Sequence, residues 1–179
     1  MAQTEENSVV HLQSDEYGEY YTRYIRLVEY SDIEVQLQEN LKSAMTLFGT
    51  LDEKKALCRY EPGKWSVKEV LGHVMDTERI FTYRALALAR GEKEPLAGYD
   101  HNQYVSEAGF DRFSVDELIE QYKNTRSSTL SLFQSFDEKE LLKRGVVNGS
   151  NFTVRGLGFV VAGHELHHLN ILRDRYLDL

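Results

Sequence analysis

Two histidines near the C-terminus have the spacing of metal ligands. His164 and His168 lie four residues apart, so on an α-helix they share one face, one turn from each other. Neutral imidazoles suit Zn, Ni, Cu and Fe, and His73 is the best candidate for a third ligand. Three nitrogen ligands with one open coordination position are typical of catalytic rather than structural sites. The alternative is that these histidines only cap or pack a helix face.

The segment from His164 to His168 also matches the HExxH signature of zinc proteases, in which the glutamate is the general base. Those enzymes usually take their third ligand well downstream, and few residues follow His168. We therefore do not expect a protease site, and we expect His73, on another helix, to be the third ligand.

Two carboxylates, Asp76 and Glu165, are candidate catalytic residues. Asp76 follows His73 by three residues on nearly the same helix face, where it could accept a hydrogen bond from bound water; a surface salt bridge is the alternative. Glu165 follows a ligand directly, so it points about 100° away around the helix. It is therefore either a general base or a residue bonded to solvent or a neighbour. His101 is a candidate fourth ligand or substrate contact, or else an exposed loop histidine.

The composition restricts the class of protein. A chain of 179 residues is long enough for one domain with a sizeable core. Its 29 acidic and 21 basic residues give a net charge of −8, which opposes binding to nucleic acid. The single cysteine, Cys58, excludes an internal disulfide and fits a reducing compartment. With no signal peptide or membrane span evident, we expect a soluble, cytoplasmic protein that binds neither nucleic acid nor membranes.

Helix formers throughout and only two prolines indicate an all-α protein. Three capping-box sequences, each a serine followed three residues later by glutamate, predict helix starts at Ser31, Ser66 and Ser114. Thr153 can cap a fourth helix, and apolar residues at helical spacing follow each start. Four long helices with short extra ones predict a four-helix bundle, whose core can assemble a metal site from facing helices.

The remaining segments are predicted to be tails, loops and a surface strap. Residues 1–13 are polar and aperiodic, so we interpret them as a mobile tail and residues 14–179 as a single domain. The tyrosine-rich segment, residues 17–30, is expected to lie across the outside of the bundle or against a partner subunit. Residues 92–105 are expected to form a loop, and residues 144–152, which contain Asn-Gly, a loop or small hairpin.

Three glycines in the last helix, Gly156, Gly158 and Gly163, each lower helix stability by about 1 kcal/mol relative to alanine. Close approach of a neighbouring helix is one physical reason to keep them. Arg126, in the middle of the third long helix, could reach inward, but a solvated face is the default expectation.

The sequence resembles the DinB-like superfamily over about residues 20–177. The resemblance rests on four sets of residues: Tyr60 to Glu69; Gly72-His73 with Asp76-Thr77-Glu78-Arg79; Arg84-Ala85-Leu86 with Ala89-Arg90-Gly91; and Gly163 to Asn170. It implies a four-helix bundle, often a homodimer, with a divalent ion, Zn or Ni, held by three histidines. Those ligands fall on His73, His164 and His168. The superfamily includes proposed metal-dependent hydrolases and bacillithiol S-transferases.

The leading hypothesis is a metal-dependent enzyme, either a hydrolase or a thiol S-transferase, acting on a small molecule, with a thiol as one candidate substrate. A divalent ion lowers the pKa of bound water or thiol, so both reactions share the same inorganic core. The alternative is a non-catalytic protein in which the metal staples two helices or the bundle serves a stress-related dimeric assembly. A closed four-ligand shell would favour that alternative. An open position in a cavity lined by Asp76, Arg84, Tyr104 and Arg126 would favour the enzyme.

Overall fold

The computed structural model describes residues 12–176, so only the last two residues of the predicted tail, and not His11, fall within it. Within this range the order of elements is α1 (Thr22–Ile25), α2 (Ile33–Phe48), α3 (Glu53–Ala56), α4 (Val67–Ala89), α5 (His101–Ala108), α6 (Val115–Gln134), α7 (Glu138–Leu141), β1 (Arg144–Val147), β2 (Ser150–Thr153) and α8 (Val154–Tyr176). Two short 3₁₀ helices, Glu19–Tyr21 and Phe110–Arg112, precede α1 and α6.

The four long helices α2, α4, α6 and α8 form a four-helix bundle, which confirms the predicted architecture. Both α2 and α4 pack against α6 and α8. The core consists of two apolar clusters, one toward the end of the bundle that carries the hairpin and the other toward the opposite end. Between residues 12 and 176, no helix is long and apolar enough to cross a membrane.

The helix starts follow the predicted caps at two of three serines. Ser66 and Ser114 form complete capping boxes with the glutamates three residues on. The cap predicted at Ser31 was wrong by one residue: the Asp32 carboxylate accepts hydrogen bonds from the backbone N–H groups of Glu34 and Val35. A carboxylate is the stronger cap there, because it both accepts these bonds and complements the positive end of the helix dipole.

The expected loop over residues 92–105 is wrong in its second half, because α5 begins at His101. The Asp100 side chain caps this helix by accepting hydrogen bonds from the backbone N–H groups of Asn102 and Gln103. The helix ends at Gly109, whose φ of 60° is left-handed. This short helix packs against α4 and brings the His101 ring close to the ring of His73.

The predicted hairpin forms, and a neighbouring segment anchors it. Asn148 and Gly149 have φ angles of 49° and 75°, the left-handed pair that a type I′ turn requires. They connect β1 to β2, which pair antiparallel. Leu96, from the segment after α4, donates to the Val146 carbonyl and accepts from Asn148 N–H, both at 2.9 Å. The turn is therefore fixed against the segment that leads to α5.

The tyrosine-rich segment and Glu16, just before it, pack on α8, and two of the three helix glycines permit these contacts. A Cβ on Gly156 would clash with the Glu16 carbonyl, and one on Gly163 would clash with the Tyr24 carbonyl. The third, Gly158, faces a phenylalanine ring of α6. Close approach was predicted, but at two positions the approaching backbone belongs to the N-terminal segment and not to a long helix.

Candidate metal centre

Three histidine nitrogens converge between α4 and α8. His164 Nε2 lies 3.1 Å from His73 Nε2 and 3.1 Å from His168 Nε2. The ligand atoms of the three side chains all lie within 4.8 Å of one another. Two nitrogens that each lie ~2.1 Å from one ion, about 90–110° apart, would be roughly 3.0–3.4 Å from each other. The three histidines could therefore hold one metal ion.

Hydrogen bonding alone does not satisfy these three nitrogens. A neutral imidazole nitrogen either donates one N–H or accepts at one lone pair. His164 Nε2 has two close nitrogen neighbours, so only one of the two contacts can be a good hydrogen bond. His168 Nδ1 is buried without a hydrogen-bond partner among residues 12–176, which leaves Nε2 as its interacting atom. A cation that accepts all three lone pairs fits this donor set.

The histidines are neutral at physiological pH. Burial, assisted by the charges of neighbouring histidines, lowers the pKa of His73 to about 3. The same causes lower the pKa values of His164 and His168 well below 6.5. Because metal binding requires deprotonated ligands, the lone pairs are available without competition from protons near neutral pH.

Thr77 and Tyr99 form a hydrogen-bonded pair beside the His73 ring. Thr77 Oγ1, one turn after His73 on α4, lies 3.5 Å from His73 Nδ1 and 2.7 Å from the Tyr99 hydroxyl. An Nδ1–H group that donates toward Thr77 leaves the Nε2 lone pair facing the other histidines. Neither residue was predicted to be functional. The spacing of four between His73 and Thr77 was the available signal.

Aromatic side chains surround the imidazoles. The Trp65 and His73 ring centroids are 4.8 Å apart, so the tryptophan lies beside the histidines. Tyr24, from the tyrosine-rich segment, has its ring centroid 5.3 Å from those of His164 and His167. The position of Trp65 was not predicted, although it precedes His73 by only eight residues. The tyrosine-rich segment could not be placed at the site from local patterns, because Tyr24 is far from His164 and His167 in the chain.

The histidines lie on the wall of a cavity of about 600 Å³, within the usual range for small-molecule sites. Its walls come from the tyrosine-rich segment, α4, α8, the segment from α4 to α5 and the hairpin turn. Tyr20 lines the cavity and is 62% exposed, so the cavity is not sealed from solvent. A small molecule that enters it would meet the three nitrogens directly.

Of two polar residues that were candidates from the sequence, Asp76 lies outside this cavity and His101 lies on its wall. Asp76 does not line it; its half-buried carboxylate accepts a hydrogen bond from Arg79 Nη1 at 3.0 Å. His101 does line it, with its ring centroid 5.5 Å from that of His73. His101 is not part of the converging three-histidine group, so its position is that of a cavity wall residue.

Glu165 also lies away from the cavity, in a buried ion network. One carboxylate oxygen accepts from the Tyr122 hydroxyl; the other accepts from Asn40 at 2.9 Å and from Arg126 at 2.7 Å. Arg126 also donates two 2.9 Å bonds to Glu78. The solvated position expected for Arg126 is therefore wrong, since its guanidinium is fully buried between two carboxylates. Of the four residues considered for the cavity, only Arg84 lines it.

A four-helix bundle whose facing helices bring three histidines to a cavity is the architecture of a metal-site bundle protein. The chain belongs to the DinB superfamily, whose family model matches residues 36–172, including all three histidines. This confirms the family resemblance.

The fold is also shared with a solved structure, that of YfiT from Bacillus subtilis, described as a probable metal-dependent hydrolase with an unusual four-helix bundle topology. The TM-score is 0.69 at 12% identity, over 92% of this chain and 93% of YfiT. At this identity the likeness establishes the fold. A search of curated proteins gave no match.

Proposed function

We propose that the protein is a metal-dependent enzyme that binds a divalent ion, zinc or nickel, through His73, His164 and His168. The observation that carries the proposal is the convergence of three neutral Nε2 atoms on the wall of a cavity of about 600 Å³. The group within ligand distance contains three residues and, among those the structure describes, no fourth. A set of three protein ligands beside a cavity favours a catalytic site over a closed structural one.

A divalent ion bound there would supply Lewis acidity, which lowers the pKa of water or thiol at the site. Other side chains of the protein position the histidines and shield them. Thr77 and Tyr99 fix the His73 ring, while Trp65 and Tyr24 shield the imidazoles from bulk water. Burial raises the pKa of the Tyr99 hydroxyl, so that group stays protonated and can donate a hydrogen bond into the cavity.

Hydrolysis and thiol transfer are the two reaction types that this site supports. The description of YfiT supports hydrolysis, and the resemblance to bacillithiol S-transferases supports transfer of a small thiol. Both would use a small-molecule substrate in the same cavity. The family resemblance also supports a homodimer, which we retain as part of the proposal.

The test is activity of metal-free protein after reloading with zinc or nickel. Ester, amide and phosphoester hydrolysis would be assayed beside transfer of small thiols to an electrophile. We expect activity in one group of reactions. This activity should be lost when the metal is removed and should be absent in His73→Ala. The control variant, His167→Ala, should bind metal as wild type does. Equal activity with and without metal, or in His73→Ala, would contradict the proposal.

Thr77→Val provides a finer test of the ligand geometry. Valine keeps the shape of threonine but removes the hydroxyl between His73 and Tyr99. We expect metal affinity to fall about 10–100-fold while the fold is retained, because partners that orient a ligand contribute on this scale. Metal titration with a competing chelator measures the change, and wild-type affinity in the variant would exclude this role for Thr77.

A further inference from the structure

The charged groups that face the cavity are all cationic. Its lining includes Arg23 and Arg84 and, within residues 12–176, no aspartate or glutamate. The whole chain carries a net charge of −8, so this surface has the opposite sign to the protein around it. A cleft lined by one sign of charge concentrates ligands of the other sign.

Arg84 is a buried cation without a carboxylate partner. Its side chain is 3% exposed, and its guanidinium carbon lies 4.9 Å from the Phe81 ring centroid and 5.7 Å from that of Tyr99. One N–H donates to the Ala97 carbonyl at 2.7 Å, and no ion pair of Arg84 is found among residues 12–176. A guanidinium has five N–H donors, so most of them remain for a ligand in the cavity.

The other buried guanidinium among residues 12–176 does have anionic partners. Arg126 is held by Glu78 and Glu165, and even the half-buried Arg155 is paired with Glu16. Burying a cation without such a partner is costly. The missing partner at Arg84 therefore indicates that the anion is supplied from outside the protein.

We propose that Arg84 determines substrate specificity by binding a carboxylate or phosphate group of the substrate, which is therefore a small organic anion. The proposal rests on the proposed function, because it assigns the substrate class of the same cavity. The planar guanidinium binds either group through two parallel hydrogen bonds. Asn148 also lines the cavity, and its side-chain amide lies close to Gly98, next to Ala97.

The position of Arg84 also sets the length of that substrate. His73, Thr77, Phe81 and Arg84 all line the cavity from one face of α4. The rise between His73 and Arg84, positions 73 and 84 of one helix, is about 16 Å. Long helical side chains lean toward the helix N-terminus, which brings the guanidinium closer to the histidines. The anionic and reacting ends of the substrate should be on the order of 10 Å apart.

The first experiment uses metal-free protein, so that no ion competes for the anion. Octanoate and 1-octanol would be titrated by calorimetry into wild type, Arg84→Met, Arg84→Lys and the control Arg79→Met, which alters an exposed arginine of α4 outside the cavity. We expect wild type and Arg79→Met to prefer octanoate by about tenfold or more. The preference should disappear in Arg84→Met and persist in part in Arg84→Lys. Circular dichroism verifies that each variant is folded.

A purely structural role for Arg84, holding the Ala97 carbonyl, would alter stability without altering the ratio of octanoate to octanol affinity. The same ratio in Arg84→Met as in wild type would therefore overturn the proposal. So would the absence of any octanoate preference in wild type.

The second experiment separates this proposal from the proposed function. Metal content of wild type and Arg84→Met should be the same, because the three histidines are unchanged. Metal binding without an anion preference would refute the role of Arg84 and leave the proposed function standing. An anion preference without metal binding would refute the proposed function and leave the role of Arg84 standing.

The proposed substrate length has its own test. In zinc-loaded protein, ω-mercaptoalkanoates should bind best when thiol and carboxylate are on the order of 10 Å apart. Arg84→Met should abolish that optimum, and its persistence would contradict the proposed length.

Discussion

At the scale of single residues, burial controls the protonation of the histidines and predicts a pH dependence of stability. The pKa of His73 is about 3 in the folded protein, against 6.5 for an ordinary histidine. The unfolded state therefore binds the extra proton, so stability is complete above pH 6.5 and decreases as the pH falls toward 3. For metal-free protein, His73 alone should contribute a loss of about 2 kcal/mol between pH 7 and pH 5. Urea unfolding at both pH values tests this, and His73→Asn should show a smaller decrease; identical decreases in both proteins would contradict it.

The buried ion network predicts a large difference between two arginines. Arg126→Met leaves Glu78 and Glu165 buried without their cation, which should cost about 3–5 kcal/mol of unfolding free energy. Arg90→Met removes an ion pair in which the arginine side chain is 54% exposed, and should cost about 0–1 kcal/mol. Urea denaturation at pH 7 measures both changes, and similar losses would show that the network contributes no special stability.

The sequence indicated the histidines and suggested Arg84 as a cavity residue, but it did not predict the burial of Arg126, for a physical reason. A spacing of four residues places His164 and His168 on one helix face whatever the rest of the fold does. Whether a polar residue such as Arg126 is buried depends on partners from other helices. Its partners are Glu78 and Glu165, and local periodicity contains no information about that pairing.

At the scale of elements, Gly163 allows α1 to lie directly on α8. Gly163→Ala would place a methyl group against the Tyr24 carbonyl, displacing the backbone that covers His164 and costing about 1–3 kcal/mol. We expect both a lower melting temperature and weaker metal binding. Gly158→Ala is the matched comparison, because its methyl group meets the Phe133 ring on α6 and should lower the melting temperature alone. Wild-type metal affinity in Gly163→Ala would contradict the proposed contribution of α1 to the site.

Element boundaries were predictable where a local signal decided them. Ser66 and Ser114 begin their helices with capping boxes, and the Asn148-Gly149 turn follows from its residue types. The placement of the tyrosine-rich segment on α8 was not predictable, because Gly163 shows that something approaches closely without showing what.

At the scale of the whole molecule, a polar layer divides the core and aligns the helices at the level of the metal centre. The two apolar clusters lie on either side of this layer, to which α2, α4, α6 and α8 each contribute. The layer consists of Gln36, Asn40, Glu78, Tyr122, Arg126 and Glu165, linked by hydrogen bonds. Glu165 directly follows His164 in α8, so the network fixes the helix that carries two of the ligands. The bundle was predictable from helix number and length; the cavity was not, because its walls join distant parts of the chain.

The most direct test of the central claim is metal content, by mass spectrometry, of untagged wild type, His73→Ala, His168→Ala and the control His167→Ala. A site shared by α4 and α8 predicts about one equivalent of metal in wild type and His167→Ala, and its loss from both other variants. His167 is the appropriate control because it neighbours His168 and lines the cavity but lies outside the converging group. No metal in wild type after incubation with zinc or nickel, or retention of metal in His73→Ala, would contradict a metal centre formed by these three histidines.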